Sequence, residues 1–128
     1  EARWTPEEPI SLGITVLTSM SAEDLSATGV QRPVVEQVAE LARQAKQAGL
    51  SGVVASPQEA AMLREILGPE AYIVTPGVRP AGSSLGDQSR VATPHQAFEN
   101  GASHIVIGRP ITESADPAAA FEAIAKEL

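Results

Sequence analysis

Four short, β-rich apolar runs, each followed by a helical pattern, constrain this chain more than any other feature. The runs are Ile10-Ser11-Leu12-Gly13-Ile14-Thr15-Val16-Leu17, Gly52-Val53-Val54-Ala55, Ala71-Tyr72-Ile73-Val74 and His104-Ile105-Val106-Ile107. They are mostly apolar rather than alternating, which is the pattern of strands covered on both faces in a parallel sheet. Between them lie helix signals with their own punctuation. Ser21 is placed to cap a short helix over Ala22 to Ala27, and a long amphipathic helix is expected from about Pro33 to Ala48. Its apolar face would carry Val34, Val38, Leu41, Ala45 and Ala48, and Gly49 would stop it. Ser56-Pro57-Gln58-Glu59 has the form of a capping box with proline at the first helical position, opening a helix through Leu63, Ile66 and Leu67 to Gly68. Thr93-Pro94-His95-Gln96 repeats the device, and Asp116-Pro117 starts an Ala-rich helix through Phe121, Ile124 and Leu128.

Strand then helix, four times over at a loose period of about 30 residues, specifies a parallel sheet with helices outside it. Four such units are half of a (β/α)8 TIM barrel, whose usual length is about 250 residues; the sequence has 128. An open doubly wound sheet is the competing architecture. The half-barrel is favoured because the polar motifs fall at the C-terminal ends of the strands, where barrels of this type build their sites. Residues 1–9 read as a linker or the tail of an upstream segment, and residues 10–128 as the half-barrel.

Composition narrows the function. A net charge of -7 with nine scattered Lys and Arg argues against nucleic acid as a partner, since phosphate neutralisation needs a basic face. A phosphorylated small molecule needs only one or two well-placed cations. The absence of cysteine removes disulfides, thiolate metal sites and a cysteine nucleophile. The charged, Pro-containing first residues are neither a signal peptide nor a membrane span, and the chain reads as cytoplasmic.

The segment Val74-Thr75-Pro76-Gly77-Val78-Arg79-Pro80-Ala81-Gly82-Ser83-Ser84-Leu85-Gly86-Asp87-Gln88 hangs a Pro/Gly-rich loop on the tip of the third strand. Its glycines permit close main-chain approach to a ligand, while Arg79 and Gln88 offer a cation and a carboxamide. A surface loop with no ligand is the alternative. After the fourth strand, Gly108-Arg109 again pairs a glycine with an arginine fork suited to a phosphate dianion; a structural ion pair is the other reading of Arg109. Lys46 belongs to a solvated helix face. His95 is expected in solvent, His104 at the strand end away from the loops, and neither has metal-ligand company. Asp87, Glu113 and Asp116 form no recognisable acid/base pair, and Asp116 is better explained as a helix cap.

Taken together, Ile14-Thr15-Val16-Leu17-Thr18-Ser19-Met20, Gly52-Val53-Val54-Ala55-Ser56, the Thr75-to-Gly82 segment, Gly86-Asp87-Gln88 and Val106-Ile107-Gly108-Arg109-Pro110-Ile111 resemble the C-terminal half of bacterial orotidine 5'-phosphate decarboxylase. The resemblance implies a (β/α)8 homodimer that forms uridine monophosphate without metal or organic cofactor. It implies that Thr18 contacts the pyrimidine, Gln88 bridges base and phosphate, Arg79 shapes the loop, and Gly108 and Arg109 hold the phosphate. It also exposes a gap. The family's Lys-x-x-x-Asp-x-Lys-x-x-Asp array, whose lysine protonates the ring carbon, has no counterpart here, where the lysines are Lys46 and Lys126. No catalytic residue is therefore expected in this chain. Its expected partners are orotidine or uridine 5'-monophosphate and either the N-terminal half of the barrel or a second copy, with a non-catalytic self-associating scaffold as the alternative.

Overall fold

The computed structural model describes residues 9–82 and 90–128. Four parallel strands, β1 (Leu12–Ile14), β2 (Gly52–Val54), β3 (Tyr72–Thr75) and β4 (His104–Ile105), lie side by side in chain order. Leu12 pairs with Gly52, Gly52 with Tyr72, and Val74 with His104. The helices are α1 (Ala22–Ala27), α2 (Val34–Gln47), α3 (Ala60–Leu67), α4 (Pro94–Glu99), α5 (Arg109–Thr112) and α6 (Pro117–Lys126). Each of the first three strands is thus followed by helix before the next begins, as the sequence pattern requires. The expected linker over residues 1–9 lies almost wholly outside the described residues.

The caps explain where helices start. Ser21 Oγ accepts from Asp24 N–H and Asp24 reaches back to Ser21 N–H, while Thr93 and Gln96 form the same reciprocal pair. Asp116 Oδ1 accepts from Ala119 N–H at 3.0 Å. The expected capping box at Ser56 is incomplete. Ser56 Oγ accepts from Gln58 N–H at 3.3 Å, Pro57–Glu59 forms a 3-10 turn, and the α-helix begins only at Ala60. Glu59 is buried instead, for a reason given below.

Both outer strands are shorter than their sequences suggest. β1 was expected over Ile10 to Leu17 and β4 over His104 to Ile107, but an edge strand has one neighbour and stays paired only while that neighbour stays beside it. The ladder between β1 and β2 closes with Thr15 N–H donating to Val54 O at 3.1 Å, and that between β3 and β4 with Val106 N–H to Thr75 O at 2.9 Å.

The main core lies between the sheet and α2 and α3, where Val38, Val53, Leu63 and Ile73 are fully buried. Removing each such side chain from water contributes about 1.5–3 kcal/mol. On α2 the buried line is Val38, Ala39, Ala42 and Ala45, whereas Ala48 is an exposed C-cap. Gly52 is required by packing, because a Cβ there would overlap the Tyr72 carbonyl. At the N-terminal end of the sheet Arg64 holds four carbonyls, that of Pro69 at 3.2 Å among them. Its guanidinium donates to Gly68 O at 2.9 Å, Ala71 O at 2.8 Å and Gly101 O at 2.8 Å, joining the end of α3, the start of β3 and the turn after α4.

Candidate functional site at the C-terminal ends of the strands

Parallel pairing in chain order brings the C-terminal ends of all four strands to one end of the sheet. After β1 the chain turns, with Met20 N–H donating to Leu17 O at 2.9 Å, and Thr18 is 5% exposed within this turn. After β2, Ala55 and Ser56 are buried. After β3, Gly77 adopts a left-handed φ of 75°, a conformation that favours glycine, and delivers Val78 and Arg79 into the interior.

Arg79 is 7% exposed, and its Nη1 donates to Val78 O at 3.0 Å. The guanidinium thus bonds to its own loop. Arg79 N–H donates to Ala92 O at 2.9 Å, so the two ends of the loop after β3 are clasped together just before α4. The returning end reaches sideways across the neighbouring strand ends. Ser56 Oγ donates to Arg90 O at 3.0 Å, Gln58 Nε2 to Val91 O at 3.3 Å, and Arg90 Nη2 to Val16 O and Leu17 O. Gln88 and Asp87 lie outside the described residues.

Gly108 precedes α5, and Arg109 is its first residue. β4 ends at Ile105, two residues before its apolar run does, and Arg109 is exposed. Nothing lies within 4 Å of a Cβ built on Gly108, so packing against the described residues does not demand glycine there. Thr18 and Arg79 are therefore linked through one hydrogen-bonded loop, and Gly108 and Arg109 share their end of the sheet.

Lys46 Nζ donates to Ile66 O at 2.9 Å, tying α2 to α3 on the surface. His95 Nε2 lies 3.3 Å from Glu99 Oε1 on an exposed helix face. The His104 ring lies 5.6 Å from that of Tyr72, near the start of β4. Among the described residues no cluster of His, Cys, Asp or Glu is arranged to hold a metal ion, and no helix is long and apolar enough to cross a membrane.

Sequence reasoning missed the pair formed by Glu59 and Arg90. Glu59 Oε1 lies 3.1 Å from Arg90 Nη1, with the side chains 4% and 13% exposed respectively. Burial pushes the Glu59 carboxyl above its ordinary value, against the opposing pull of Arg90 and of the Ser56 donors. An acid at the third position after a Ser cap reads as a helix-capping residue, and nothing local connects it to an arginine 31 positions later.

The model of the Orotidine 5'-phosphate decarboxylase / HUMPS family matches residues 3–124. This chain belongs to that family. It is 57% identical over 121 residues to an orotidine 5'-phosphate decarboxylase of Moorella thermoacetica, covering 94% of this chain and 48% of the relative. It is 52% identical to one from Pseudoalteromonas atlantica, covering 96% and 53%. The crystal structure of orotidine 5'-phosphate decarboxylase from Lactobacillus acidophilus superposes with a TM-score of 0.74 at 45% identity, over 91% of this chain and 47% of that one. The chain spans about half the length of the curated relatives it matches, and its four-stranded sheet is an α/β half-barrel of the TIM type.

Proposed function

We propose that this chain is the ligand-gripping half, by motif order the C-terminal half, of a cytoplasmic orotidine 5'-phosphate decarboxylase, which converts orotidine monophosphate to uridine monophosphate and carbon dioxide. The supporting observation is that Thr18, Arg79, Gly108 and Arg109 share the strand ends of a half-barrel belonging to this family. In this reading Thr18 meets the pyrimidine, Gln88 spans base and phosphate, Arg79 fixes the loop, and Gly108 with Arg109 takes the phosphate. The open space at Gly108 and the exposure of Arg109 suit a ligand that approaches from outside the sheet.

Gripping a nucleotide does not by itself accelerate its decarboxylation. Only interactions stronger in the transition state than in the ground state do so, and a remote phosphate contributes by holding the ring against groups that act on it. The lysine and aspartates that act on the ring are assigned to the N-terminal half, as a preceding segment of a longer protein or a separate chain. This chain alone is therefore expected to be inactive, with turnover appearing when the Lys/Asp array is supplied.

Arg109→Ala tests the assignment. Loss of charge-assisted hydrogen bonds of about 1.5–3 kcal/mol each should weaken uridine monophosphate about tenfold or more. Uridine, which lacks the phosphate, should bind as before. Equal losses for both in calorimetric titration remove Arg109 from the phosphate site.

A second reading, a non-catalytic half-barrel that pairs with itself, is favoured by the apolar side chains at both sheet edges. Ile14 at the end of β1 is 60% exposed and Val106 just after β4 is 50% exposed, and such edges call for cover. The native mass of the purified assembly separates the two. A symmetric dimer of this chain without a complementary half supports the scaffold.

A further inference from the structure

Beyond Ile14 the first strand leaves the sheet, and the carbonyls of its exit turn need donors from elsewhere. Arg90 supplies them. Its Nη2 donates to Val16 O at 3.2 Å and to Leu17 O at 3.0 Å, bridging 74 and 73 positions of sequence. On its other side the guanidinium meets Glu59 at 3.1 Å, while Ser56 Oγ holds the Arg90 carbonyl at 3.0 Å. A pair this well buried is weak evidence of stabilisation, because desolvation offsets most of the attraction. Among the described residues Glu59 Oε2, Arg90 Nε and Arg90 Nη1 lack hydrogen-bond partners, so the Glu59 contact is a pairing of charges without hydrogen-bond geometry and is not arranged for the greatest stability. What it does provide is a rigid fork aimed at two carbonyls next to Thr18.

The geometry points to Glu59 and Arg90 as a positioning pair that fixes the exit turn of β1 and, through it, the side chain of Thr18. Glu59 orients the guanidinium, and the guanidinium holds Val16 O and Leu17 O. Leu17 O in turn accepts from Met20 N–H at 2.9 Å, closing the turn that carries Thr18. The consequence for ligand binding rests on the proposed contact between Thr18 and the pyrimidine; the mechanical coupling does not.

Amide hydrogen exchange on the full chain, in the assembly it forms, tests the coupling. Arg90→Ala should speed exchange at Met20 by about tenfold or more, the scale of one lost hydrogen bond to a charged group. Ile73 and Val53, in the centre of the sheet, should keep their protection, and Arg90→Lys should restore part of it at Met20. Glu59→Gln should give the same local pattern at smaller amplitude, and it decides the matter if Arg90→Ala does not fold. No change at Met20, or equal acceleration at Ile73 and Val53, overturns the inference. Titrating these variants with uridine and uridine monophosphate supplies the second arm. A positioning role at the base end weakens both ligands by the same factor, and a loss confined to the phosphorylated one overturns the link to Thr18. If the unaltered protein binds neither ligand, the ligand reading fails while the exchange result still decides the positioning.

Discussion

Between β1 and β3 the sheet is covered by α2 and α3 and encloses a continuous core from Val16 to Ile73, whereas beyond β3 the buried cluster shrinks to Val78, Ala97 and Ala102. On that second side an apolar groove of about 220 Å³ opens against β4 and α6, lined by Ile105, Ile107, Ile111, Phe121, Ile124, Ala125 and Leu128. Phe121 and Leu128 are each 60% exposed. The two regions follow the same strand-and-helix pattern, so pattern does not cause the difference. Cover does. α2 has fourteen residues and packs on β1, β2 and α3, while α6 has ten and finds its packing partner in α5. The first region has a core under its own helices but leaves Ile14 and Leu17 exposed at and just after its outer strand, and the second, with little core of its own, presents an apolar groove of the kind that in larger proteins is packed against further structure.

The sharpest way to break this contrast is to remove volume from the first region. Leu63→Ala, at a fully buried site in α3, should destabilise the chain by about 2–5 kcal/mol in chemical denaturation, from lost transfer energy plus the cavity left behind. A loss below about 1 kcal/mol would mean that the first region is no better packed than the second. Gly52→Ala probes the same core by adding an atom where β2 and β3 are closest. The new methyl collides with the Tyr72 carbonyl, which is backbone and cannot rotate away, so a cost of about 1–3 kcal/mol is expected. An unchanged denaturation midpoint would show that the strands can separate there.

The pH dependence of stability sharpens the contrast from another side, because among the described residues the two shifted carboxylates both belong to the first region and pull in opposite directions. Glu59 is raised above 4.5, chiefly by burial, so the folded state holds its proton more tightly than the unfolded one. Its contribution is most favourable below 4.5 and declines as pH rises through its folded value. Asp24 is lowered below 3.8, chiefly by the Ser21 backbone N–H, so its contribution is present above 3.8 and lost as pH falls through its folded value. Glu59→Gln should abolish the decline on the neutral side and leave the acid-side loss in place. An unaltered profile in urea denaturation from acid to neutral pH would place the titrating group elsewhere.

The fold was legible in the sequence where the rules are local. The caps at Ser21, Thr93 and Asp116 each depend on a side chain and an amide within three residues, and all three form. What depends on neighbours distant in sequence was not legible. The lengths of β1 and β4 follow from how far β2 and β3 run beside them, which no periodicity in the edge segments records. Glu59 looked like half of a capping box because its spacing from Ser56 is right, and its burial against Arg90 is a product of the loop's return path. Of the candidate site, the sequence located the strand ends and the buried Arg79. It did not record that β4 ends two residues before its apolar run, or that Arg109 is exposed.

The smallest expected effect tests the comparison from the thinly covered side. Phe121 is the largest side chain in the groove of β4 and α6, yet it is 60% exposed, so its truncation removes little contact already made. Phe121→Ala should shift the stability of the dilute chain by less than about 0.5 kcal/mol, the range of ordinary surface substitutions. If the groove is covered by a complementary half-barrel or a second copy, the same substitution should cost more in that assembly, because burying a phenyl ring contributes about 1.5–3 kcal/mol. The measurement is a pair of denaturation midpoints, at high dilution and at a concentration where sedimentation shows association. A large loss at both would mean that Phe121 already packs within the chain. No loss at either would leave the groove uncovered, and the two regions would then differ in packing without differing in purpose.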